Sequence, residues 1–190
     1  MGPKKVIIGL IGEIGSGKGT FVDLLMQTAP NLKISKIRFS DVLSDTLKIW
    51  GIPLTRSNLQ NLAVIMKNNF GPVLSHAVYM RVLSNPADIV ILDGVRWQSD
   101  VDLVRGFPKN YLVYVTAPVA IRYDRIRSRK EKEGELNIPY EQFMKEEQTE
   151  NEILIPKIGT GADFKIINGT TLEQFKQQVQ RFYDKFLNRP

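Results

Sequence analysis

The chain has 190 residues, of which 43% are hydrophobic and 24% charged, a composition typical of a globular protein with one sizeable core. It contains no cysteine, which excludes disulfides, thiolate metal sites and thiol nucleophiles. No apolar run reaches the roughly 18 residues that a membrane-spanning helix needs, so we expect a soluble, cytoplasmic protein. The net charge of +6 suits either a nucleic-acid surface or cations gathered around a polyphosphate.

Five short apolar segments alternate with helical patterns along the chain. They lie at residues 6–11, 34–39, 89–92, 111–115 and 164–167. Strands that alternate with helices predict a parallel sheet with helices on both faces, a three-layer α/β fold. The last helical pattern covers residues 172–187. We therefore expect a single domain over residues 1–190.

The first strand leads directly into a glycine-rich motif. Its residues are Gly12, Glu13, Ile14, Gly15, Ser16, Gly17, Lys18, Gly19 and Thr20. The spacing matches the G-x-x-x-x-G-K pattern of a P-loop, and it stands between an apolar strand and an amphipathic helix, as that motif requires. Glycines let backbone N–H groups curl around phosphates, and the helix dipole adds positive charge. Lys18 is then expected to contact the β- and γ-phosphates of a nucleoside triphosphate.

The residues after the P-loop lysine indicate how Mg²⁺ is held. Gly19 stands where a Ser or Thr commonly binds the metal, so we expect the ion to keep more water. Thr20 follows one position later, near the α-phosphate, and can contribute to the metal shell through water. A G-K-G-T ending is typical of nucleoside monophosphate kinases.

Two further residues follow the third predicted strand. Asp93 comes at its carboxyl end, where open α/β sheets bind ligands, and is placed to orient hydrated Mg²⁺. Arg96 lies three residues later and could grip a phosphate. A helix cap for Asp93 and a surface salt bridge for Arg96 are the structural alternatives.

Asp41 follows the second predicted strand, in the run Phe39-Ser40-Asp41. It could accept a proton from an acceptor hydroxyl, with Arg38 or Ser40 assisting. An equally good reading makes Asp41 the cap of the next helix. Residues 41–86 are too long for one crossover, and we expect several helices there, broken at 51–53 and 71–72.

An arginine-rich stretch follows the fourth predicted strand. Arg122, Arg125 and Arg129 would share one helical face, able to close over a triphosphate, although a solvated basic face is the simpler alternative. We expect residues 122–152 to form a lid. The arginines gather in one segment without an aromatic stacking motif, which argues against nucleic-acid binding.

Two segments resemble a known group of enzymes. Residues 8–18 resemble the G-L-T-G-G-I-G-S-G-K run of dephospho-CoA kinases, and residues 162–173 resemble their A-D-x-V-I-x-N-x-G-T-L-E segment. The D-G-V-R run at 93–96 is more like phage-type deoxynucleoside monophosphate kinases and archaeal kinase-like proteins. The chain is thus similar to P-loop kinases of the nucleoside monophosphate kinase superfamily.

The resemblance implies a three-layer P-loop fold with a five-stranded parallel sheet in the order 2-3-1-4-5. It implies ATP and Mg²⁺ as cofactors, an acceptor-binding insert at 41–86, and a nucleotide-like acceptor such as a nucleoside monophosphate or dephospho-CoA. Arg125 and Arg129 fall on the lid motif that packs on adenine and touches phosphates, while Asn168 and Gly169 fall near the adenine. A P-loop NTPase without a small-molecule acceptor is the alternative function.

Overall fold

The computed structural model describes residues 5–128 and 138–188. The strands are β1 (Val6–Ile11), β2 (Ile34–Arg38), β3 (Ile89–Val95), β4 (Asn110–Thr116) and β5 (Phe164–Ile167). They form one parallel sheet in the order β2-β3-β1-β4-β5. This confirms the expected fold and strand order, and the bounds of β1 and β5 coincide with the predicted segments.

Helices connect these strands. They are α1 (Lys18–Thr28), α2 (Phe39–Ile49), α3 (Arg56–Phe70), α4 (Val73–Ser84), α5 (Gln98–Arg105), α6 (Val119–Ser128), α7 (Tyr140–Glu147), α8 (Ile155–Gly159) and α9 (Leu172–Phe186). Thr171 caps the start of α9, because its hydroxyl accepts a hydrogen bond from the backbone N–H of Gln174. None of the helices within the described ranges is long and apolar enough to cross a membrane.

The central strand β1 supplies side chains to both sides of the sheet. Ile7 and Ile11 belong to a core shared with α2, α3, α4 and α5. Ile8 and Leu10 belong to a second core shared with α1 and α9. This alternation follows the two-residue period of a strand, and it explains why the whole segment is apolar. The result is a helix–sheet–helix sandwich.

Strand β3 runs three residues beyond the predicted end, so Asp93 and Gly94 lie within it. Gly94 adopts a positive φ of 98°, and the register with β1 shifts at this point. Strand β2 ends one residue earlier than predicted, because α2 already begins at Phe39. Arg38 and Asp93 are therefore register partners at the carboxyl edge of the sheet.

The interval between β2 and β3 holds α2, α3 and α4, which pack against one another. Helix α2 ends at Ile49, one residue short of the expected break at 51–53, and α3 ends at Phe70, directly before the expected break at 71–72. The Thr55 hydroxyl caps α3 by accepting from the backbone N–H of Asn58. This cap places Arg56 at the first helical position, where it faces the P-loop side of the molecule.

Candidate active site

The P-loop connects β1 to α1 and lines a cleft of about 270 Å³ at the carboxyl edge of the sheet. Gly15 and Gly17 have φ values of 75° and 102°, a left-handed conformation that favours glycine. Gly17 is the residue immediately before α1, so the first N–H groups of that helix open into the cleft. Backbone geometry here suits an anion.

Lys18 is the first residue of α1 and is partly buried in the loop. Its ammonium Nζ donates to the carbonyl oxygens of Gly12 at 2.6 Å and Glu13 at 3.1 Å. Burial lowers the pKa of Lys18, and the negative charge of Asp93 is the strongest influence in the opposite direction. An anion bound in the cleft would act in the same sense as Asp93 and favour the charged lysine.

Asp93 lines the cleft from β3, and its side chain is only 14% exposed. Its Oδ2 lies 3.9 Å from Nε of Arg38. Thr20 lines the same cleft from α1 and is exposed. No group of three or more His, Asp or Glu side chains that could hold a metal occurs in residues 5–128 and 138–188. Asp93 and Thr20 nevertheless offer the oxygen donors that suit a largely hydrated Mg²⁺.

Arg125 and Asn168 meet beside the P-loop. Nη2 of Arg125 donates to the backbone and side-chain oxygens of Asn168 at 3.0 and 3.2 Å, and Nη1 contacts the carbonyl of Gly15 at 3.3 Å. Asn168 Nδ2 in turn donates to the carbonyl of Ser16 at 2.9 Å. Gly169 packs against Pro118. The predicted adenine-side residues are thus brought together, except Arg129, which lies outside the described residues.

Arg122 differs from the expectation of an exposed cationic face. It is buried, and its guanidinium forms two hydrogen bonds of 2.6 Å with the carboxylate of Glu147. Its Nη1 also donates to the carbonyl of Ile14 at 3.3 Å. Because its donors are engaged in this way, Arg122 stabilises the P-loop through its contact with the carbonyl of Ile14. The pairing with Glu147 comes from the packing of α7 near α6, which helical spacing alone does not reveal.

Three arginines also line the cleft: Arg38, Arg56 and Arg96. Arg96 Nη2 lies 3.1 Å from Oε1 of Glu152, a residue only 4% exposed. Arg56 reaches the same carboxylate at 3.7 Å and Glu146 at 2.9 Å. Two arginines from distant parts of the chain therefore share one buried carboxylate. Both arginines line the same cleft as Lys18.

Asp41 lies at the start of α2, where its carboxylate accepts from the backbone N–H of Arg38 at 3.1 Å. The neighbouring Ser40 lines the cleft, whereas Asp41 is absent from the described lining. The helix-cap alternative thus has a concrete contact. Its role as a base stays a prediction.

Arg56 and Gln60 are cleft residues that the sequence reasoning did not single out. They lie four residues apart on α3, on the same face as Leu59 and Ala63. A polar pair on the apolar stripe of a helix was the available signal, since such residues usually face solvent.

No family model matches the chain. It is 27% identical over 185 residues to a UPF0200 protein from Hyperthermus butylicus, with 97% of this chain and 96% of that protein covered. Shikimate kinase from Acinetobacter baumannii is similar in structure, with a TM-score of 0.59 at 14% identity over 98% of this chain and 97% of that one. A gluconokinase from Sinorhizobium meliloti has a TM-score of 0.55 at 14% identity, covering 96% and 93%. The chain has the P-loop fold found in these small-molecule kinases.

Proposed function

We propose that the chain is a phosphotransferase that moves the γ-phosphoryl group of ATP to the phosphate of a nucleotide-like acceptor. The observation that carries this proposal is the set of residues that line one cleft. Lys18 and Asp93 line the same cleft as three arginines, Arg38, Arg56 and Arg96. The similar folds of shikimate kinase and gluconokinase support a kinase in general.

In this reaction an oxygen of the acceptor phosphate forms a bond to the γ-phosphorus. The bond from that phosphorus to the β,γ-bridging oxygen breaks, and ADP leaves with the electron pair. Lys18 stabilises the charge on the transferring group, and the P-loop N–H groups hold the β-phosphate. Arg38, Arg56 and Arg96 bring the acceptor phosphate close by offsetting the repulsion between two anions.

A phosphate acceptor fits this cleft better than a hydroxyl acceptor. A phosphate oxygen is already ionised, so it needs cationic clamps more than a base. The clamps are present, while the carboxylate of Asp41 is engaged with the backbone of Arg38. Among the acceptors that the sequence resemblance implies, a nucleoside monophosphate therefore fits better than the hydroxyl of dephospho-CoA.

Mg²⁺ would be held by Asp93, with Thr20 nearby, mainly through water and the nucleotide phosphates. When bound, the ion neutralises charge on the β- and γ-phosphates. Arg125, Asn168 and Gly169 would flank the adenine. We assign residues 41–86 as the acceptor-binding insert and residues 122–152 as the lid, because Arg56 belongs to the first and Glu152 to the second.

A coupled ADP-release assay tests the proposal over a panel of nucleoside monophosphates and dephospho-CoA, with an acceptor-free blank. We expect at least one nucleoside monophosphate to raise ADP release far above the blank. An equal rate with and without every acceptor would instead identify an NTPase.

The same assay on Asp41→Asn separates the two acceptor chemistries. Since the side-chain oxygen of asparagine can also accept the hydrogen bond from the backbone N–H of Arg38, we expect less than a threefold change in the transfer rate to a phosphate acceptor. A loss of about 100-fold or more, of the size that removing a general base causes, would make Asp41 catalytic and the acceptor a hydroxyl.

A further inference from the structure

Unpaired polar atoms concentrate in the wall of the cleft near the three arginines. Within the described part of the chain, buried side-chain atoms without a hydrogen-bond partner include Nε2 of Gln60, Nε of Arg96 and Oδ1 of Asn151, all on residues that line the cleft. Asn151 is 3% exposed. Buried polar groups are nearly always paired, because leaving one unpaired costs free energy. Several such atoms at one wall indicate groups that a ligand satisfies.

Gln60 and Asn151 are neighbours across this wall, and both line the cleft. Asn151 Nδ2 donates to the backbone carbonyl of Gln60 at 3.4 Å. This contact assigns the nitrogen of the Asn151 amide and leaves its oxygen as a free acceptor. The side-chain nitrogen of Gln60 is an unpaired donor. Two neighbouring residues that line the cleft therefore offer one unpaired donor and one unpaired acceptor.

Apolar side chains accompany this amide pair. Leu59 and Ala63 lie on the same face of α3 as Gln60, and Leu43 lines the cleft from α2. Arg56 stands one turn before Gln60 on that face. Arg56 thus offers a cation to an anionic group. One turn later on α3, Gln60, together with its neighbour Asn151, offers polar groups among apolar residues. A ligand matching this wall has a phosphate at one end and a flat ring with polar edges at the other.

We infer that Gln60 and Asn151 read the hydrogen-bonding edge of the acceptor's nucleobase and so set acceptor specificity; this rests on the proposed function. The Watson–Crick edge of a base carries an acceptor next to a donor, complementary to the Gln60 donor and the Asn151 acceptor. A sugar phosphate without a base would leave both amides unpaired. The pair therefore discriminates nucleotides from other small phosphates.

The inference is tested with Gln60→Ala and Asn151→Ala, together with Gln60→Glu, which keeps the size of the side chain but replaces its donor. Asn61→Ala is the matched control, because Asn61 follows Gln60 on α3 and is exposed. The probes are AMP, GMP, CMP, UMP and dTMP, with ribose 5-phosphate as the phosphate without a base. Binding is measured by calorimetry without ATP, and transfer by ADP release.

The wild type is expected to bind one nucleoside monophosphate more tightly than ribose 5-phosphate. In the Gln60 and Asn151 variants the ratio of the two dissociation constants should fall roughly 5- to 150-fold, the range for loss of a bidentate base contact. Asn61→Ala should keep the wild-type ratio. Far-UV circular dichroism checks that every variant is folded.

Equal binding of ribose 5-phosphate and all nucleotides by the wild type would overturn the inference, as would an unchanged ratio in the folded variants. Base-dependent binding that is lost in these variants, without transfer to any acceptor, would support the amide pair but overturn the proposed kinase activity. The two failures are therefore distinguishable.

Discussion

The two ends of the cleft are built from different kinds of contact. At the end proposed to bind ATP, Arg125 and Asn168 each donate to a backbone carbonyl of the P-loop, and Arg125 also donates to the backbone and side-chain oxygens of Asn168. At the end proposed to bind the acceptor, Arg56 and Arg96 pair with carboxylate side chains, and the amides of Gln60 and Asn151 retain unpaired atoms. Main-chain carbonyls therefore take part in the contacts of the first end, whereas the ion pairs of the second end join side chains.

This difference assigns different tasks to the two ends. Backbone contacts recognise a triphosphate by its shape and charge, which are the same for every turnover. Side-chain contacts with unused donors and acceptors can distinguish one partner from another, because a poor partner leaves them unpaired. Specificity in this molecule is therefore expected to reside in α3 and residues 146–152. Three substitutions test the division.

The largest effect is expected at Lys18, where the two ends meet. Lys18→Met should lower kcat/KM for phosphoryl transfer by about 1,000-fold or more, because the cation on the transferring phosphate is lost. Lys176→Met, at an exposed position of α9, is the control. ADP release measures both. Full activity of Lys18→Met would refute the proposed role of the P-loop.

The same variant should not be less stable at neutral pH. Burial places the pKa of Lys18 in the folded protein below its ordinary value of 10.5. The charged lysine therefore costs stability at any pH below the folded pKa, and this cost disappears as the pH rises past the unfolded value. Urea unfolding at pH 7 should give Lys18→Met an equal or higher midpoint, and a clearly lower one would contradict the expected burial cost.

Arg96 tests the acceptor end. Arg96→Ala removes a charge-assisted contact, worth about 1.5–3 kcal/mol, so the KM for the acceptor should rise roughly 10- to 150-fold. The KM for ATP should change less than about threefold, because the ATP end has its own contacts. Arg105→Ala is the control, since Arg105 pairs with Asp163 at the opposite edge of the sheet. A rise in the KM for ATP alone would contradict the division.

Tyr114 tests the support beneath the ATP end. Its hydroxyl donates to Oε1 of the buried Glu13 at 2.5 Å, and burial raises the pKa of Tyr114 to about 12. Among residues 5–128 and 138–188, Tyr114→Phe leaves Oε1 of Glu13 with the 3.3 Å contact from Thr116 alone, so we expect a loss of about 1–3 kcal/mol in the free energy of unfolding at pH 7.

The pH dependence gives a second measure of the Tyr114 contact. The folded pKa is higher than the ordinary value of 10.0, so this stabilisation is complete below pH 10 and is lost between pH 10 and 12. The stability difference between wild type and Tyr114→Phe should shrink across that range in urea unfolding. Parallel curves for wild type and Tyr114→Phe would contradict the raised pKa of Tyr114 in the folded protein.

The sequence predicted correctly those features whose residues lie close together along the chain. The strand, P-loop and helix around Lys18 are contiguous, so local patterns sufficed. Asp93 was predicted at the carboxyl edge, although β3 continues past it, because a glycine with positive φ extends the pairing. The role of Arg56 could not be predicted from spacing, because it reaches the cleft only when α3 packs across it. The burial of Arg122 depends on Glu147, 25 residues away.

The contact between Gly17 and Asn168 has a consequence for how the site forms during synthesis. A Cβ on Gly17 would collide with the Asn168 amide, so the loop and the segment after β5 fit together without spare room. The P-loop is synthesised about 150 residues before Asn168, which packs against it. Because domains generally fold as units, a nascent chain that lacks β5 should carry the motif without its finished phosphate site. The chain would then become able to bind ATP only after the whole fold has formed.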